Sequence, residues 1–322
     1  MSIFCTATIN GTDHYVSTDE IADIHMWKSE IVSISQITTS LQYEYGGYLR
    51  PIYGTVEFLP TLFEGAWPPP QTISFLVEVG DDEANKNKIV YSECSLQTFT
   101  QDKVVYKILG ESDGASYGDI TFTGKLISVI DWACDALGIM YNTDNVSRVD
   151  YFDVNFTNTN KRKIMDILSE ACAFASVYFY RDGYTLRFMD MLDSVGSMSL
   201  DEFDFTPNTY LGRNDVSLLV GGASSITGST PSSNVTINVV PWHNTNSNIV
   251  SALTDIKTTI EKSIITVEIA DDETVIDFGT SVTVHDDSCQ DEITGTFVVT
   301  KNNIYYSHDT DRLIIEGRGT IT

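Results

Sequence analysis

Basic residues are scarce in this 322-residue chain, and their scarcity excludes several classes of function. The sequence carries 19 Lys and Arg against 45 Asp and Glu, which gives a formal net charge of −26. Proteins that bind nucleic acid need Lys and Arg to neutralise phosphates and release counterions. A surplus of carboxylates also repels anionic membranes and DNA that passes close by. The composition therefore argues against sequence-specific or general binding of nucleic acid.

The chain also lacks paired cysteines, a long apolar run and a basic amino-terminal segment. Its five cysteines include no Cys-x-x-Cys pair, so the pattern indicates neither a disulfide framework nor a zinc site. Cys134 and Cys172 lie on the apolar faces of predicted helices, where we expect small buried side chains. Without an apolar run or a leader we expect no membrane span and no signal peptide, and folding in a reducing cytoplasm.

Short β-strands dominate the amino-terminal third of the sequence. The length of 322 residues predicts two or three domains, and a content of 42% apolar and 11% aromatic residues is enough for several cores. The clearest strand, 72–79, is rich in β-branched and aromatic residues and follows the breaker Trp67-Pro-Pro-Pro. Further strands are predicted at 30–38, 52–59, 90–99 and 103–109. This pattern is typical of a small antiparallel barrel or sandwich, which we assign to residues 1–122.

Helical periodicity occurs twice in residues 123–200. Apolar residues recur at helical spacing from Leu126 to Leu137, and Gly138 follows as a natural stop. The same pattern returns 38 residues later, from Ile164 to Ala175. Each helix presents one apolar face, and packing the two together or on a small sheet buries both faces.

A β-hairpin is predicted directly after the second helix. Its strands are Val177-Tyr-Phe-Tyr and Thr185-Leu-Arg-Phe-Met, and its turn is Arg181-Asp-Gly183. An Asp-Gly pair supplies the left-handed conformations that a tight hairpin turn needs. We therefore interpret residues 123–200 as an α+β unit with two matched helices.

The rest of the chain contains a low-charge stretch followed by more strands. No Asp, Glu, Lys or Arg occurs from Val216 to Thr254, and the Gly/Ser-rich part of this stretch is typical of a flexible loop. We assign 201–262 to a low-charge connecting region. Residues 263–322 alternate apolar and polar side chains between acidic or glycine-containing turns, which predicts the strands of a second barrel. The expected fold is mainly β, with two small antiparallel β-barrel domains flanking the helix-containing unit.

Motifs of catalysis and metal binding were each weighed against a structural explanation. Gly114-Ala-Ser-Tyr-Gly118 matches G-x-S-x-G but lacks the strand-to-helix context of a nucleophile elbow, so we expect a surface loop. The five histidines are scattered, and the acidic runs that start at Asp81, Asp271 and Asp286 lack the alternating ligands of a calcium loop. The sequence therefore predicts no enzyme, no catalytic or cofactor-binding residue, no metal site and no cofactor.

Two segments resemble the tail hub proteins of phages and prophages. The first runs from Gly295 to Gly319, where a G-x-F-x-V-T strand is followed by a strand of the form Y…D…L-x-I-x-G. The second runs from Lys163 to Phe188 and combines a helix, a small residue, an aromatic strand, Arg-Asp-Gly and another strand. The matched block from Leu126 to Tyr141 adds to this likeness. The order of barrel, helical insert and barrel is similar to hubs of contractile and non-contractile tails.

The resemblance implies a structural virion protein. In such hubs a homotrimer offers two similar barrels per subunit, so that the ring is pseudo-sixfold, joins the tail tube to the tip and lines the DNA ejection conduit. The implied partners are other copies of the chain, the distal tail or tube protein, the tip spike or central fibre, and the tape measure protein. The implied location is the tail tip of a virion assembled in the bacterial host cytoplasm.

The acidic surplus suits such a conduit. Nine Asp and Glu and no Lys or Arg lie between Ser263 and Thr300. A negative lumen would keep DNA from sticking as it passes, because like charges repel. Carboxylates that face the outer solvent and aid solubility would explain the same composition.

Two other functions stay open for an acidic, β-rich chain. A distal tail or baseplate adaptor also forms rings, but it would not require two matched helices. A glycan-binding adhesin should show exposed aromatic side chains in one groove and a secretion signal. The mass in solution distinguishes them, because a trimer or larger ring favours the hub and a stable monomer favours the rivals.

Overall fold

The computed structural model describes most of the chain, with gaps in its loops. The described residues are 2–17, 31–80, 86–108, 116–117, 120–144, 146, 148–151, 153–158, 162–182, 185–191, 193–194, 196–200, 205–210, 217–220, 225–226, 234–237, 246–269, 278–286, 293–307 and 310–321. Most of these residues form strands, and the described part contains four α-helices, of which none is long and apolar enough to cross a membrane.

The amino-terminal part forms an antiparallel sheet. Its strands and one 3-10 helix are β1 Ser2–Ile9, β2 Thr12–Ser17, β3 Ile31–Tyr43, β4 Gly46–Tyr53, β5 Thr55–Phe58, the 3-10 helix Pro60–Phe63, β6 Thr72–Gly80, β7 Lys86–Phe99 and β8 Val104–Ile108. The strands pair in the order β2-β1-β6-β7-β8-β5-β3, and β4 pairs with β3 beside β5. The predicted strands are confirmed here, although the segment predicted at 52–59 is divided between β4 and β5.

The helical unit contains both predicted helices and the predicted hairpin. Its elements are β9 Ser116–Tyr117, β10 Ile120–Lys125, α1 Leu126–Leu137, β11 Met140–Asn142, α2 Arg148–Tyr151, β12 Asp153–Asn158, β13 Arg162–Lys163, α3 Ile164–Phe174, β14 Val177–Asp182 and β15 Thr185–Asp190. Gly138 ends α1 in the left-handed conformation, with φ of 66°. The hairpin pairs β14 with β15 up to Asp182 and Thr185. Gly183 of the predicted turn lies outside the described residues.

The carboxy-terminal part adds strands and one helix that the sequence analysis missed. Its elements are β16 Gly196–Leu200, β17 Phe205–Tyr210, β18 Ser217–Val220, β19 Ser225–Ile226, β20 Asn234–Ile237, α4 Asn246–Glu261, β21 Ser263–Ile269, β22 Thr280–Asp286, β23 Ile293–Ser307 and β24 Thr310–Ile321. Helix α4 lies inside the predicted connecting region 201–262, and β18, β19 and β20 form a small separate sheet there. Most of the predicted Gly/Ser-rich loop lies outside the described residues. The four-part division of the chain into domains stays a prediction.

Strand β23 joins the amino-terminal and carboxy-terminal β regions into one sheet. Its first half pairs with β22, and its second half pairs with β3, from Asn302 opposite Thr39 to Ser307 opposite Ser33. On its other edge, β23 pairs with β24 from Gly295 to Ser307, and β24 pairs in turn with β21. A bulge between Val299 and Lys301 lies where β23 changes partner. The predicted mainly-β fold with a helix-containing unit is confirmed, and its two β regions share a hydrogen-bonded ribbon.

Two apolar cores support this arrangement. The first fills the β regions, where aromatic residues such as Phe58 and Phe75 belong to the same buried cluster as Val282 of β22 and Ile315 of β24. The second lies in the helical unit and combines the apolar faces of α1, α3 and α4 with β14 and β15. Both matched helices therefore bury their apolar faces in one core, as the sequence pattern predicts.

The helical unit attaches to the amino-terminal sheet through a close contact between α3 and β4. A Cβ atom at Gly46 would lie 2.5 Å from the Val177 carbonyl oxygen, and one at Gly47 would lie 2.6 Å from Ser169 Oγ. Both positions therefore need glycine. The close approach lets the Tyr48 N–H donate to the buried Ser169 Oγ over 2.8 Å, and β14 pairs in parallel with β4 at the same place.

A charged cluster at Arg148 of α2 ties the helical unit to α4 of the carboxy-terminal part. Its Nε donates to Asp190 at the end of β15 over 2.9 Å, and its Nη1 donates to Asp255 of α4 over 2.5 Å. The same Nη1 donates over 3.1 Å to the carbonyl oxygen of Ala175, just after α3. Asp190 is only 4% exposed, so its charge depends on partners inside the protein.

Leu168 provides a test of the helical core. Its side chain is fully buried on α3, so Leu168→Asp would place a carboxylate in an apolar environment. Such a charge costs several kcal/mol, a large part of the stability of a typical domain. We expect thermal unfolding followed by circular dichroism to show a melting temperature lower by about 10 °C or more.

The matched control is Val250→Asp, which introduces the same charge at an exposed position of α4. It should change the melting temperature by about 2 °C or less. A Leu168→Asp protein that melts together with this control would contradict the buried position of that face.

Arg148→Leu tests the charged cluster. The substitution removes the guanidinium that bonds to the buried Asp190, and we expect a loss of about 3 kcal/mol in the free energy of unfolding. Urea unfolding measures this loss. Lys103→Met serves as the control, because it removes the cation of an ion pair in which Lys103 is 47% exposed, worth at most about 1 kcal/mol. Equal losses in the two variants would show that the Arg148 cluster does not hold the helices together.

Candidate interaction surface

Parts of the G-x-S-x-G motif and of one acidic run lie within the described residues. Ser116 and Tyr117 form β9 and pair with β13, so the loop expected over Gly114-Ala-Ser-Tyr-Gly118 is wrong at these two positions. The other three residues of this motif lie outside the described part. The same is true of the acidic runs at Asp81 and Asp271, whereas Asp286 ends β22. Within the described residues, no group of His, Cys, Asp and Glu is arranged to hold a metal ion.

Among the cysteines whose side chains the structure describes, Cys94, Cys134 and Cys172 are buried and carry free thiols. Burial, helped by the nearby carboxylate of Glu93, raises the pKa of Cys94 to about 12. Burial and the carboxylates near α1 likewise raise the pKa of Cys134 to about 12, and burial raises the pKa of Cys172 well above its ordinary value. Because the thiolate is the reactive form, these cysteines are poor nucleophiles at neutral pH. The predicted role of Cys134 and Cys172 as small buried side chains is confirmed.

Large apolar side chains are exposed at a few described positions. They are Leu59, Trp67, Phe99, Met140, Tyr141 and Val250. Single exposed apolar residues are common and need no explanation, whereas a group of them can mark an interaction site. The exposed pair Trp67 and Phe99, whose rings are in contact, is called the Trp67 surface below.

The Trp67 surface lies at one end of the amino-terminal sheet. Phe99 ends β7, and Leu59 directly follows β5; the last residues of both strands are paired with Val104 at the start of β8. The ring of Trp67 meets the ring of Phe99 edge to face, with centroids 5.3 Å apart and planes at 88°. Trp67 is 51% exposed and Phe99 is 43% exposed, so the contact leaves much of both rings open to solvent.

Trp67 is held by a rigid and well-anchored segment. Three prolines follow it in sequence, and each fixes its own φ angle. The hydroxyl of Tyr106 donates to the carbonyl oxygen of Pro70 over 2.7 Å, and the Ala66 N–H donates to the Phe63 carbonyl oxygen over 2.9 Å. Phe63 and Tyr106 are fully buried and stack on each other. The Trp67 surface is therefore preorganised and loses little conformational entropy when a partner binds.

Acidic side chains lie beside the Trp67 surface. Glu64 is three residues before Trp67 and Asp102 is three residues after Phe99, and both are exposed. Neither carboxylate bonds to any residue in the part of the chain that the structure describes. The nearby Glu57 is paired with Lys103 over 2.9 Å, so these two charges compensate each other. The four charged residues Glu57, Glu64, Asp102 and Lys103 thus sum to a net negative charge.

A smaller exposed pair lies on the short strand β11. Met140 is 65% exposed, and Tyr141 beside it donates its hydroxyl to Asp131 over 2.5 Å. This hydrogen bond to a carboxylate, together with partial desolvation, raises the pKa of Tyr141 to about 12. The tyrosine is thus tied back to α1, which leaves Met140 as an isolated exposed residue.

The Trp67 surface is not predicted by the sequence pattern, in which Trp67-Pro-Pro-Pro indicates only a break before the strand at 72–79. A tryptophan at the head of a proline run, with Glu64 just before it, was the available signal. The position of Phe99 against Trp67 depends on strand pairing, which this local pattern does not specify.

Comparison with known proteins finds similarity in structure but not in sequence. No family model matches the chain, and no curated protein matches it. Solved structures do match. Their sequence identities to this chain are 8–12%, so the likeness concerns the fold alone.

Three tail proteins match almost the whole chain. The 43 kDa tail protein of prophage MuSo2 from Shewanella oneidensis has a TM-score of 0.61 at 12% identity, over 98% of this chain and 96% of that one. A tail protein from Neisseria meningitidis MC58 has a TM-score of 0.57 at 8% identity, over 98% and 96%. Prophage tail protein gp18 from Listeria monocytogenes EGD-e has a TM-score of 0.52 at 9% identity, over 98% and 94%. The chain therefore has the fold of these phage and prophage tail proteins, in agreement with the resemblance drawn from its sequence.

Proposed function

We propose that this chain is a non-enzymatic structural subunit of a phage tail tip or baseplate, and that it acts as the hub. Three copies form a ring that joins the tail tube to the tip and lines the conduit for DNA ejection. The neighbours of the ring are other tail proteins, such as the distal tail or tube protein, the tip spike or central fibre, and the tape measure protein. Its location is the virion, after assembly in the host cytoplasm.

The observation that carries this proposal is the extent of the fold match. The similarity to the MuSo2 tail protein covers 98% of this chain and 96% of that chain, so it involves the arrangement of β regions and helices and not one common motif. A fold can host several functions, and the site must therefore agree with the proposed function. The protonated, buried cysteines and the exposed aromatic surface suit a chain that works through contacts with other proteins.

The two β regions of each subunit suit a pseudo-sixfold ring. Because β23 and β24 run through both regions, the regions are held in a fixed relation within one subunit. Three subunits with two β regions each would offer six similar positions to a sixfold tube. The hydrogen bonds that β23 makes to strands of both β regions would keep these positions from shifting independently.

The helical unit favours the hub over the adaptor. An adaptor would not require two matched helices, whereas α1 and α3 bury their apolar faces in one core here. The adhesin alternative requires aromatic side chains along a groove. Trp67 and Phe99 instead meet edge to face at one end of a sheet, which suits a contact with a protein better than stacking on a sugar.

The mass of the full-length chain in solution tests the proposal. We expect light scattering after size-exclusion chromatography to give three times the 35.7 kDa chain mass at micromolar concentration. A stable monomer at all concentrations would contradict the ring.

Electron microscopy of the same trimer tests the conduit separately. With a net charge of −26, we expect more Asp and Glu than Lys and Arg on the inner wall, since a basic wall would retain DNA. A neutral or basic wall would contradict the conduit explanation and leave the hub proposal standing.

A further inference from the structure

The Trp67 surface has the properties of a binding site for another protein. Tryptophan is enriched among the residues that dominate binding energy at protein interfaces, where it fills a pocket in the partner. Trp67 is half exposed, yet its backbone is anchored by prolines and by the hydrogen bond from Tyr106 to Pro70. A side chain that is both exposed and fixed can be buried by a partner without a large entropic cost.

The charges around the rings restrict the chemistry of that partner. Glu64 and Asp102 are exposed and bond to no described residue, so both carboxylates are available to a ligand. Glu57 is paired with Lys103 and contributes little. A partner that covers the rings would have to desolvate or approach the two carboxylates, and Lys or Arg at its rim would offset this cost.

A second copy of the chain, bound through the same surface, fits less well. Such a contact would place Glu64 and Asp102 against their own counterparts, and like charges across an interface are destabilising. These like charges therefore disfavour a symmetric contact between two Trp67 surfaces and favour a partner that presents basic residues.

We infer that the Trp67 surface binds a partner protein that packs an apolar side chain against Trp67 and Phe99 and surrounds it with Lys or Arg facing Glu64 and Asp102. The contact goes beyond the proposed ring, because it joins this chain to a protein of opposite charge. It also does not depend on the ring, since the surface is complete within one chain.

Three labelled hexapeptide amides serve as probes for the full-length protein. The first, Lys-Lys-Leu-Leu-Lys-Lys, has both proposed features; Glu-Glu-Leu-Leu-Glu-Glu reverses the charge, and Lys-Lys-Ser-Ser-Lys-Lys removes the apolar part. Fluorescence anisotropy measures their dissociation constants. We expect the first probe to bind most tightly, and more weakly as sodium chloride is raised, because salt screens exposed charges.

Variants assign the binding to the surface. Trp67→Ala and Phe99→Ala should each weaken the first probe about tenfold, which is the size of effect that marks an important interface residue. The double variant E64Q/D102N should weaken it and reduce its salt dependence. Met140→Ala is the matched control, since it removes an exposed apolar side chain elsewhere and should leave binding unchanged. Melting temperatures verify that all variants are folded.

Several results would overturn the inference. An unchanged affinity of the first probe for a folded Trp67→Ala protein would exclude the surface, and equal binding of the serine probe would reduce the effect to charge alone. Equal binding of the acidic probe would show that basic residues are not required in the partner. A lower oligomeric mass of Trp67→Ala would assign the surface to self-association. Quenching of tryptophan fluorescence by maltotriose that disappears in Trp67→Ala would assign it to a sugar.

Discussion

The bare backbone at Gly46 and Gly47 is the constraint on which the attachment of the helical unit depends. Any side chain there would meet the backbone of Val177 or the hydroxyl of Ser169 at less than 3 Å. With glycine at both positions, β4 approaches α3 closely enough for the Tyr48 N–H to reach Ser169 and for β4 to pair with β14. The stacking of Tyr48 on Phe179, with centroids 5.0 Å apart, then continues the core of the helical unit into the sheet.

Helix α3 consequently has contacts on several sides. It meets β4 through Ser169, shares an apolar core with α1 and α4, and ends beside the Arg148 cluster at the Ala175 carbonyl. Nine of the eleven residues of α3 are buried. Such extensive burial is expected for a helix that packs against other elements on several sides. The close packing of such an element transmits strain and resists gradual deformation, so the subunit is suited to a permanent structural role.

Local periodicity predicted the elements whose signal is complete within a few residues. Helices α1 and α3, the β14–β15 hairpin and strand β6 have clear patterns and explicit stops such as Gly138. Helix α4 lies where the absence of charge from Val216 to Thr254 is typical of a linker, so it was not predicted. Its buried residues Ala252, Leu253, Ile256 and Ile260 do follow helical spacing. The pairing of β23 with β3 and the exposure of Trp67 both depend on distant segments, and alternation within a strand does not identify its partner.

The pairing of β23 with β3 also has a consequence for biosynthesis. Strand β3 ends at Tyr43 and β23 begins at Ile293, so about 250 residues separate the two strands that complete this part of the sheet. At ribosomal rates this separation corresponds to on the order of 10–50 s during which the edge of β3 has no partner. An open strand edge can pair with other chains. The nascent chain therefore passes through a period of aggregation risk that ends only when its carboxy-terminal ribbon leaves the ribosome.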